Sequence, residues 1–416
     1  MKVLIIAAGS RGDVAPPAGL GARLVQAGHD VIMAADKAFA AFIEDVGMEF
    51  RPLIGDIHQA AKSELHSAAA RDGMASRSGA RLVKAAKRYF HLLNGNVAGL
   101  TAGSGADVVM FNPFGSAAYH VAQALGIPSI GMALQPHEPT AELPPIVFGR
   151  SLGRFGNRAT GRLMRMAERM YFTGINNIRV EHGLPPTTFT ATQRAQFDAD
   201  WPVKHGFSHH VVPRPKDWRP GLDVVGYWWP PMPTDWTPPQ ELSRFLDAGP
   251  APVFIGLGST NPADGERLTN TITAALRKAG QRGIIQAGWA KLSTRDDDML
   301  TIGDVPHEWL FPRTRAVVHA AGAGTTAAGL RAGVPAVPIP VTGDGPFWSH
   351  RLTTLGVSPG PVRIKRLTTD RLTDAVHEAI TNPAYRTRAR ELAAKIATED
   401  GAAQVAAALD SLSATA

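Results

Sequence analysis

The stretch Val317-Val318-His319-Ala320-Ala321-Gly322-Ala323-Gly324-Thr325-Thr326-Ala327-Ala328-Gly329 reads as a buried strand running through a glycine-rich turn into a helix. A helix that opens on bare backbone N–H groups, with hydroxyls beside them and no bulky side chain, is a ready site for a phosphate. Further on, Gly343-Asp344-Gly345-Pro346-Phe347-Trp348 forms a second loop, placed to reach whatever hangs from that phosphate. Near the N-terminus, Gly9-Ser10-Arg11-Gly12-Asp13-Val14 makes a comparable strand-to-helix turn, with Pro16 and Pro17 read as starting the helix. Asp13 has two readings there. One is a helix cap; the other is a general base, a carboxylate at a cleft mouth that takes a proton from an acceptor hydroxyl.

Apolar runs of strand length must position these turns. Strands are predicted at 2–8, 30–34, 107–111 and 128–133, with helices at 16–27 and 114–125 between them. After residue 250 the pattern restarts with strands at 252–257, 282–287, 315–318 and 335–339 and helices at 264–280 and 324–332. Short apolar strands alternating with helices imply an α/β fold of two doubly wound parallel sheets, each with its ligand crevice at the strands' carboxyl ends. The halves are expected to face one another across a cleft. Between them, Gly226-Tyr227-Trp228-Trp229-Pro230-Pro231-Met232-Pro233 and Trp236-Thr237-Pro238-Pro239 make a stiff connector, whose tryptophans pack it onto the domains or stack on a substrate. Segment 56–106 shows helical spacing without a strong core stripe, as expected of mobile helices over an acceptor entrance.

Composition narrows the chemistry. With no cysteine among 416 residues, thiolate metal sites, disulfides and cysteine nucleophiles are excluded. The net charge of +7 suits an anionic donor or an anionic membrane surface. Its Lys and Arg residues are scattered without aromatic interleaving, which argues against nucleic acid and leaves weak membrane-surface association open. The start carries no signal-peptide core and no apolar run reaches spanning length, so a soluble cytoplasmic protein is expected.

Gly9 to Val14 resembles the N-terminal loop of sterol and antibiotic glycosyltransferases, in which the residue after Arg-Gly is the catalytic aspartate. Similar stretches follow in order: Gly206-Phe207-Ser208, Val211 to Pro215, Asp217-Trp218, Gly256-Leu257-Gly258-Ser259, Gly288-Trp289, Val305 to Pro312 and Ala327 to Pro335. The resemblance implies a GT-B architecture. Residues 1–216 would form a Rossmann-like acceptor domain and 217–250 the linker. Residues 251–395 would form a nucleotide-sugar-type Rossmann-like domain, with 396–416 a helix packing back toward the first. It implies Asp13 as general base, and Val305 with neighbouring backbone at the nucleotide base. Ser259, Gly324, Thr325 and Thr326 would hold the diphosphate, and Asp344 the sugar hydroxyls. Asn112, at a strand end opposite Asp13 on the acceptor side, either positions the carboxylate or an acceptor hydroxyl or makes an ordinary strand-end hydrogen bond, and Gln135 and His137 are expected to line the acceptor cleft. N–H dipoles and hydroxyls can meet diphosphate charge, so no metal and no cofactor is expected beyond a nucleoside diphosphate sugar as co-substrate.

Two departures mark the donor signature. The family pattern of two histidines, two glycines and Ala-Gly-Thr-Thr is here His319-Ala320-Ala321-Gly322-Ala323-Gly324-Thr325-Thr326, so Ala320 replaces the second histidine. Gly345 replaces the glutamine that follows the aspartate. The leading expectation is an inverting, metal-independent glycosyltransferase acting on a small hydrophobic acceptor such as a sterol, lipid or polyketide. The alternative is the same fold repurposed for acid–base chemistry without sugar transfer, such as dehydration, cyclisation or isomerisation. Elsewhere, Asp198-Ala199-Asp200 reads as a chance match to a metal-binding pattern and Asp296-Asp297-Asp298 as a solvated loop. His209-His210 lacks a third metal ligand at any usual spacing.

Overall fold

Branched and apolar runs pair into two sheets in the computed structural model, which describes residues 1–53, 77–233, 235–258, 265–288, 292–341 and 343–413. The first half comprises β1 (Lys2–Ile6), α1 (Arg11–Gln26), β2 (Asp30–Ala35), β3 (Glu49–Pro52), α2 (Arg77–Ala102), β4 (Val108–Phe111), α3 (Ala117–Leu125), β5 (Ser129–Ala133), α4 (Gly153–Ala167), β6 (Val203–His205) and β7 (Leu222–Val224). Its strands are parallel in the order β3-β2-β1-β4-β5-β6-β7. The second half comprises β8 (Val253–Gly256), α5 (Gly265–Lys278), β9 (Gly283–Gln286), β10 (Arg295–Asp296), β11 (Met299–Ile302), β12 (Ala316–His319), α6 (Ala323–Arg331), β13 (Ala336–Pro338) and α7 (Gly345–Thr354). Its order is β10-β11-β9-β8-β12-β13, parallel except for β10 against β11. These are two Rossmann-like α/β sheets, as the alternation predicts.

Helix α1 departs from expectation at its start. It begins at Arg11 and not at the prolines, because Ser10 takes the extended N-cap conformation and Asp13, three residues on, completes a capping box. Pro16 and Pro17 therefore lie inside the helix, where they withhold the N–H groups that the carbonyls of Gly12 and Asp13 would otherwise receive. Asp13 is the third helical residue, so the simple N-cap reading of it is corrected.

Helix α2 also differs from the expected pattern. Phe90, Leu93, Val97 and Ala98 are buried against α3 and the first sheet, a stripe that the alanine- and lysine-rich sequence around it masked. The portion of 56–106 before Arg77 lies outside the described residues.

The linker is packed, not stacked on an open site. Trp228 is buried with α1 and the last helix, and the Trp229 carbonyl sits so close to Gly19 that a Cβ there would stand 2.2 Å from it. After α8 (Pro383–Ile396) the chain returns to the first half as α9 (Gly401–Ser413). Ala402, Val405 and Leu409 of α9 join the first-sheet core, and Arg23 pairs with Asp400 at 2.8 Å.

Candidate active site

The two topological switch points make the site. In the first sheet β1 lies between β2 and β4, and Ile6 pairs with Phe111, so the turn leading into Asp13 of α1 and the loop bearing Asn112 leave the sheet side by side. Likewise His319 of β12 pairs with Gly256 of β8, which brings the loop after β8 beside the opening of α6. Helices α1 and α6 meet across the cleft between the sheets.

Asp13 is half-buried, and its Oδ2 accepts from the Ser10 N–H at 2.8 Å and the Ser10 hydroxyl at 2.9 Å. Gly9 makes room for this arrangement. Its φ is +137°, and a Cβ there would lie 2.4 Å from Asp13 Oδ2. Asn112 acts on the loop and not on the carboxylate: its Nδ2 donates to the Ala8 carbonyl at 2.6 Å. Its buried Oδ1 has no partner among the described residues. That is the strand-end bond, one of the two roles the sequence left open.

Beside Asp13 stands an aromatic wall. Tyr171 lies 4.6 Å from Phe90 and 5.4 Å from Phe114, centroid to centroid. Its hydroxyl is pushed up to about 12 by burial first, then by Glu168, with Asp13 adding to the rise. Tyr171 and His137 also line a cavity of about 190 Å³ under α4, with Leu143, Ile146, Met164 and Met170 supplying apolar surface. The apolar part of this lining suits a hydrophobic alcohol, and Tyr171, which feels the charge of Asp13, links the cavity to it.

On the opposite side, α6 is capped by Gly322 in extended conformation; the Ala323 N–H donates to Asp344, which leaves the first-turn N–H groups of Gly324 and Thr325 at the cleft end of the helix. Thr326 behaves otherwise than expected. It is 1% exposed, its N–H is taken by the Gly322 carbonyl at 3.0 Å, and its hydroxyl faces the interior. Val305 likewise buries its side chain, in the cluster with Leu310 and Phe311, and leaves only backbone for a ligand. Ser259 lies outside the described residues.

His319 is buried and held neutral: burial, then His307, lowers its pKa to about 3. Its Nδ1 accepts from the Ala321 N–H at 3.2 Å, so it braces the turn and does not replace the histidine missing at Ala320. The sequence reading passed over a third departure. Ala321 stands where the pattern has glycine and takes φ +60°. That conformation costs an alanine about 1–2 kcal/mol. Burying its methyl beside Phe347 and Trp348 offsets roughly 0.8 kcal/mol of it.

Asp344 joins the two halves. Its Oδ2 accepts from Trp348 Nε1 at 2.8 Å and, across the cleft, from Gln135 Nε2 at 2.9 Å. Gln135 Oε1 in turn lies 3.1 Å from His137 Nε2. Burial, then Arg165, lowers the His137 pKa to about 4, so the ring is neutral and can donate to Gln135. Gln135 thus reaches across to Asp344 of the second half, where the sequence placed it with the acceptor. Burial raises the Asp344 pKa, while hydrogen bonds from Gln135, Trp348 and the backbone N–H groups of Asp344 and Ala323 oppose the rise. Arg11, two residues before Asp13, lies near enough to the second half to lower the pKa of His307, after burial, to about 4. Sequence reasoning missed Arg11 in this role.

Buried neutral histidines set the acid limit of the fold. Burial first lowers His120 and His205 to about 3, as it does His319, and His137 and His307 to about 4. An unfolded histidine titrates near about 6.5. Above that pH neither state binds the proton and stability is complete. Below it only the unfolded chain binds, and each such histidine removes up to roughly 1.4 kcal/mol per pH unit until its folded pKa is reached. The urea midpoint is therefore expected to hold above pH about 7 and to fall steeply between about 6.5 and 5. A midpoint unchanged across that window would contradict the burial of these rings as neutral bases.

Two minor clusters resolve differently. Glu399 brings the third donor that spacing could not show: donor atoms of His209, His210 and Glu399 lie within 4.8 Å of one another, with His209 and Glu399 paired at 2.6 Å. Asp296 and Asp298 are both held by Arg277, so that loop is ion-paired and not merely solvated.

Residues 3–138 match the glycosyltransferase family 28 N-terminal domain, and 286–412 the erythromycin biosynthesis protein CIII-like C-terminal domain. The sterol 3-beta-glucosyltransferase UGT80A2 of Arabidopsis thaliana is 34% identical over 97% of this chain, which spans 64% of that relative's length. O-mycaminosyltylonolide 6-deoxyallosyltransferase of Streptomyces fradiae is 34% identical over 96% of this chain and 95% of its own. The chain belongs to the sterol- and antibiotic-type glycosyltransferase family. Solved glycosyltransferases share the GT-B fold. The kitacinnamycin enzyme superposes with a TM-score of 0.73 at 17% identity, covering 98% of each chain. SsfS6 from Streptomyces sp. SF2575, complexed with thymidine diphosphate, gives 0.62 at 20% identity, covering 99% of each. The reading of this glycosyltransferase fold as repurposed for chemistry without sugar transfer draws no support from these relatives. Among the described residues, no helix is long and apolar enough to cross a membrane.

Proposed function

We propose that the protein transfers a sugar, with inversion, from a nucleoside diphosphate to a hydroxyl of a hydrophobic acceptor. The observation that carries this reading is the Asp13 carboxylate, held by Ser10 in the first turn of α1, with Tyr171 of the aromatic-lined cavity near enough to feel its charge and α1 packed against α6. Asp13 takes the acceptor's proton as that oxygen bonds to the anomeric carbon. The carbon–oxygen bond to the diphosphate breaks, and its electron pair leaves with the nucleoside diphosphate. The first-turn N–H groups of Gly324 and Thr325 and the Arg11 guanidinium meet the charge that develops there. Asp344 holds sugar hydroxyls, and Gln135, which already contacts it, supplies the amide that Gly345 lacks.

Calorimetry with uridine and thymidine diphosphates and their sugars tests the reading. At least one donor should bind, and no heat from any member with folded protein would sink it. Restoring the signature gives a finer check. Ala320→His should tighten donor binding by roughly ten- to a hundredfold, the worth of a hydrogen bond to a charged group. Adding Gly345→Gln should contribute less than its separate effect, because a Cβ at 345 would lie 3.0 Å from the Ala320 carbonyl and the two sites couple. Donor affinity that both changes leave unmoved would show that these positions do not face the diphosphate and sugar.

A further inference from the structure

Helix α4 is firmly seated on one side and open on the other. Asn157 anchors it: Oδ1 accepts from the Leu152 N–H at 2.7 Å, and Nδ2 donates to Ser151 Oγ at 3.1 Å and the Ala141 carbonyl at 3.3 Å. With Gly161, Met164 and Ala167 the same face roofs the cavity that Tyr171 lines from the far side. The outer half is divided lengthwise. Phe155, Leu163 and Met166 fall on one stripe by helical spacing and are 88%, 71% and 46% exposed. Leu152 and Phe148 continue the stripe into the preceding loop at 38% and 53%. Alongside runs a second stripe of Arg154, Arg158, Arg162 and Arg165, with Arg150 and Arg169 at its ends. No Asp or Glu stands between Leu143 and Ala167. Arg158 and Arg165 are paired with Asp217, Glu138 and Glu168. Among the described residues Arg150, Arg154, Arg162 and Arg169 have no ion-pair partner.

We propose that α4 docks the protein on an anionic lipid bilayer, with its apolar stripe at the headgroup boundary and its free arginines on lipid phosphates. A contiguous exposed apolar stripe marks an interaction surface. A basic stripe beside it is the arrangement of a helix lying in a membrane interface, where arginine stems follow the apolar boundary and their heads reach the phosphates. Charge chooses the occupant. A two-fold dimer through this face would set arginine against arginine, whereas an anionic surface complements every free guanidinium. The docking deepens the function proposed above and rests on it in one respect: an acceptor taken from a membrane would enter the cavity directly beneath the docked helix.

Sedimentation with vesicles tests the docking. The intact protein should bind phosphatidylcholine vesicles containing about 30% phosphatidylglycerol, weaken as salt rises, and bind pure phosphatidylcholine at least about tenfold more weakly. Phe155→Ser/Leu163→Ser and Arg154→Glu/Arg162→Glu should each lower binding to the anionic vesicles about tenfold or more, with circular dichroism and donor binding unchanged. No binding by the intact protein, or undiminished binding by either variant, overturns the proposal. So does self-association lost in the variants without vesicle binding, which would give the face to a second copy. Donor binding without vesicle binding removes the docking alone. Vesicle binding without donor binding removes the transfer reading and leaves the docking.

Discussion

Asp13→Asn should lower turnover by roughly 10²–10⁴-fold while leaving fold and donor affinity intact. The substitution separates the carboxylate's two jobs. An asparagine oxygen can still accept from the Ser10 N–H and hydroxyl, which Asp13 holds at 2.8 and 2.9 Å, so the first turn of α1 stays capped. What the amide cannot do is take a proton from the acceptor. If Asp13 served only the cap, the rate would survive, and stability would fall only by what its charge gains at the helix N-terminus, about 0.3–1 kcal/mol. Steady-state kinetics together with a urea titration of the same sample distinguish the two outcomes.

Asp344→Ala should reduce kcat/KM for the donor by roughly 10- to 100-fold, the kinetic equivalent of a hydrogen bond to a charged group. The loss should pair with Gln135. Since Gln135 Nε2 meets Asp344 Oδ2 at 2.9 Å from the other half of the molecule, Gln135→Ala alone should weaken donor use. In the Asp344→Ala background it should add little. Stability will fall as well, because Trp348 Nε1 loses its acceptor, so affinities must be measured on protein shown to be folded. Strictly additive losses would mean that Gln135 does not act through Asp344.

These residues mark where the sequence was readable and where it was not. The apolar runs that became β1, β4, β8 and β12 announce themselves, and the glycine turns after them locate both halves of the cleft. The three-residue strands β6 and β7 leave too short a period to detect. The start of α1 was misplaced because two prolines are a louder signal than a serine–aspartate box, although the box controls the geometry. Burial of Thr326 follows from the direction α6 takes off β12, which no local pattern encodes. The pairing of Gln135 with Asp344 and the meeting of Glu399 with His209 join residues far apart in the chain, so spacing rules could not find them. Ala321 was legible in principle: an alanine at a glycine position of a tight turn signals φ > 0.

Sugar transfer itself is tested most directly by a mass balance. The protein would be incubated with the donor that binds best in calorimetry and a panel of sterol and polyketide alcohols. Nucleoside diphosphate and glycosylated acceptor would be quantified together, and the anomeric configuration read by NMR. The account predicts equal amounts of both products, released only when donor and acceptor are present, with the configuration inverted and the yield abolished by Asp13→Asn. Retained configuration, or equal turnover in the Asp13→Asn protein, would contradict direct displacement with Asp13 as the base.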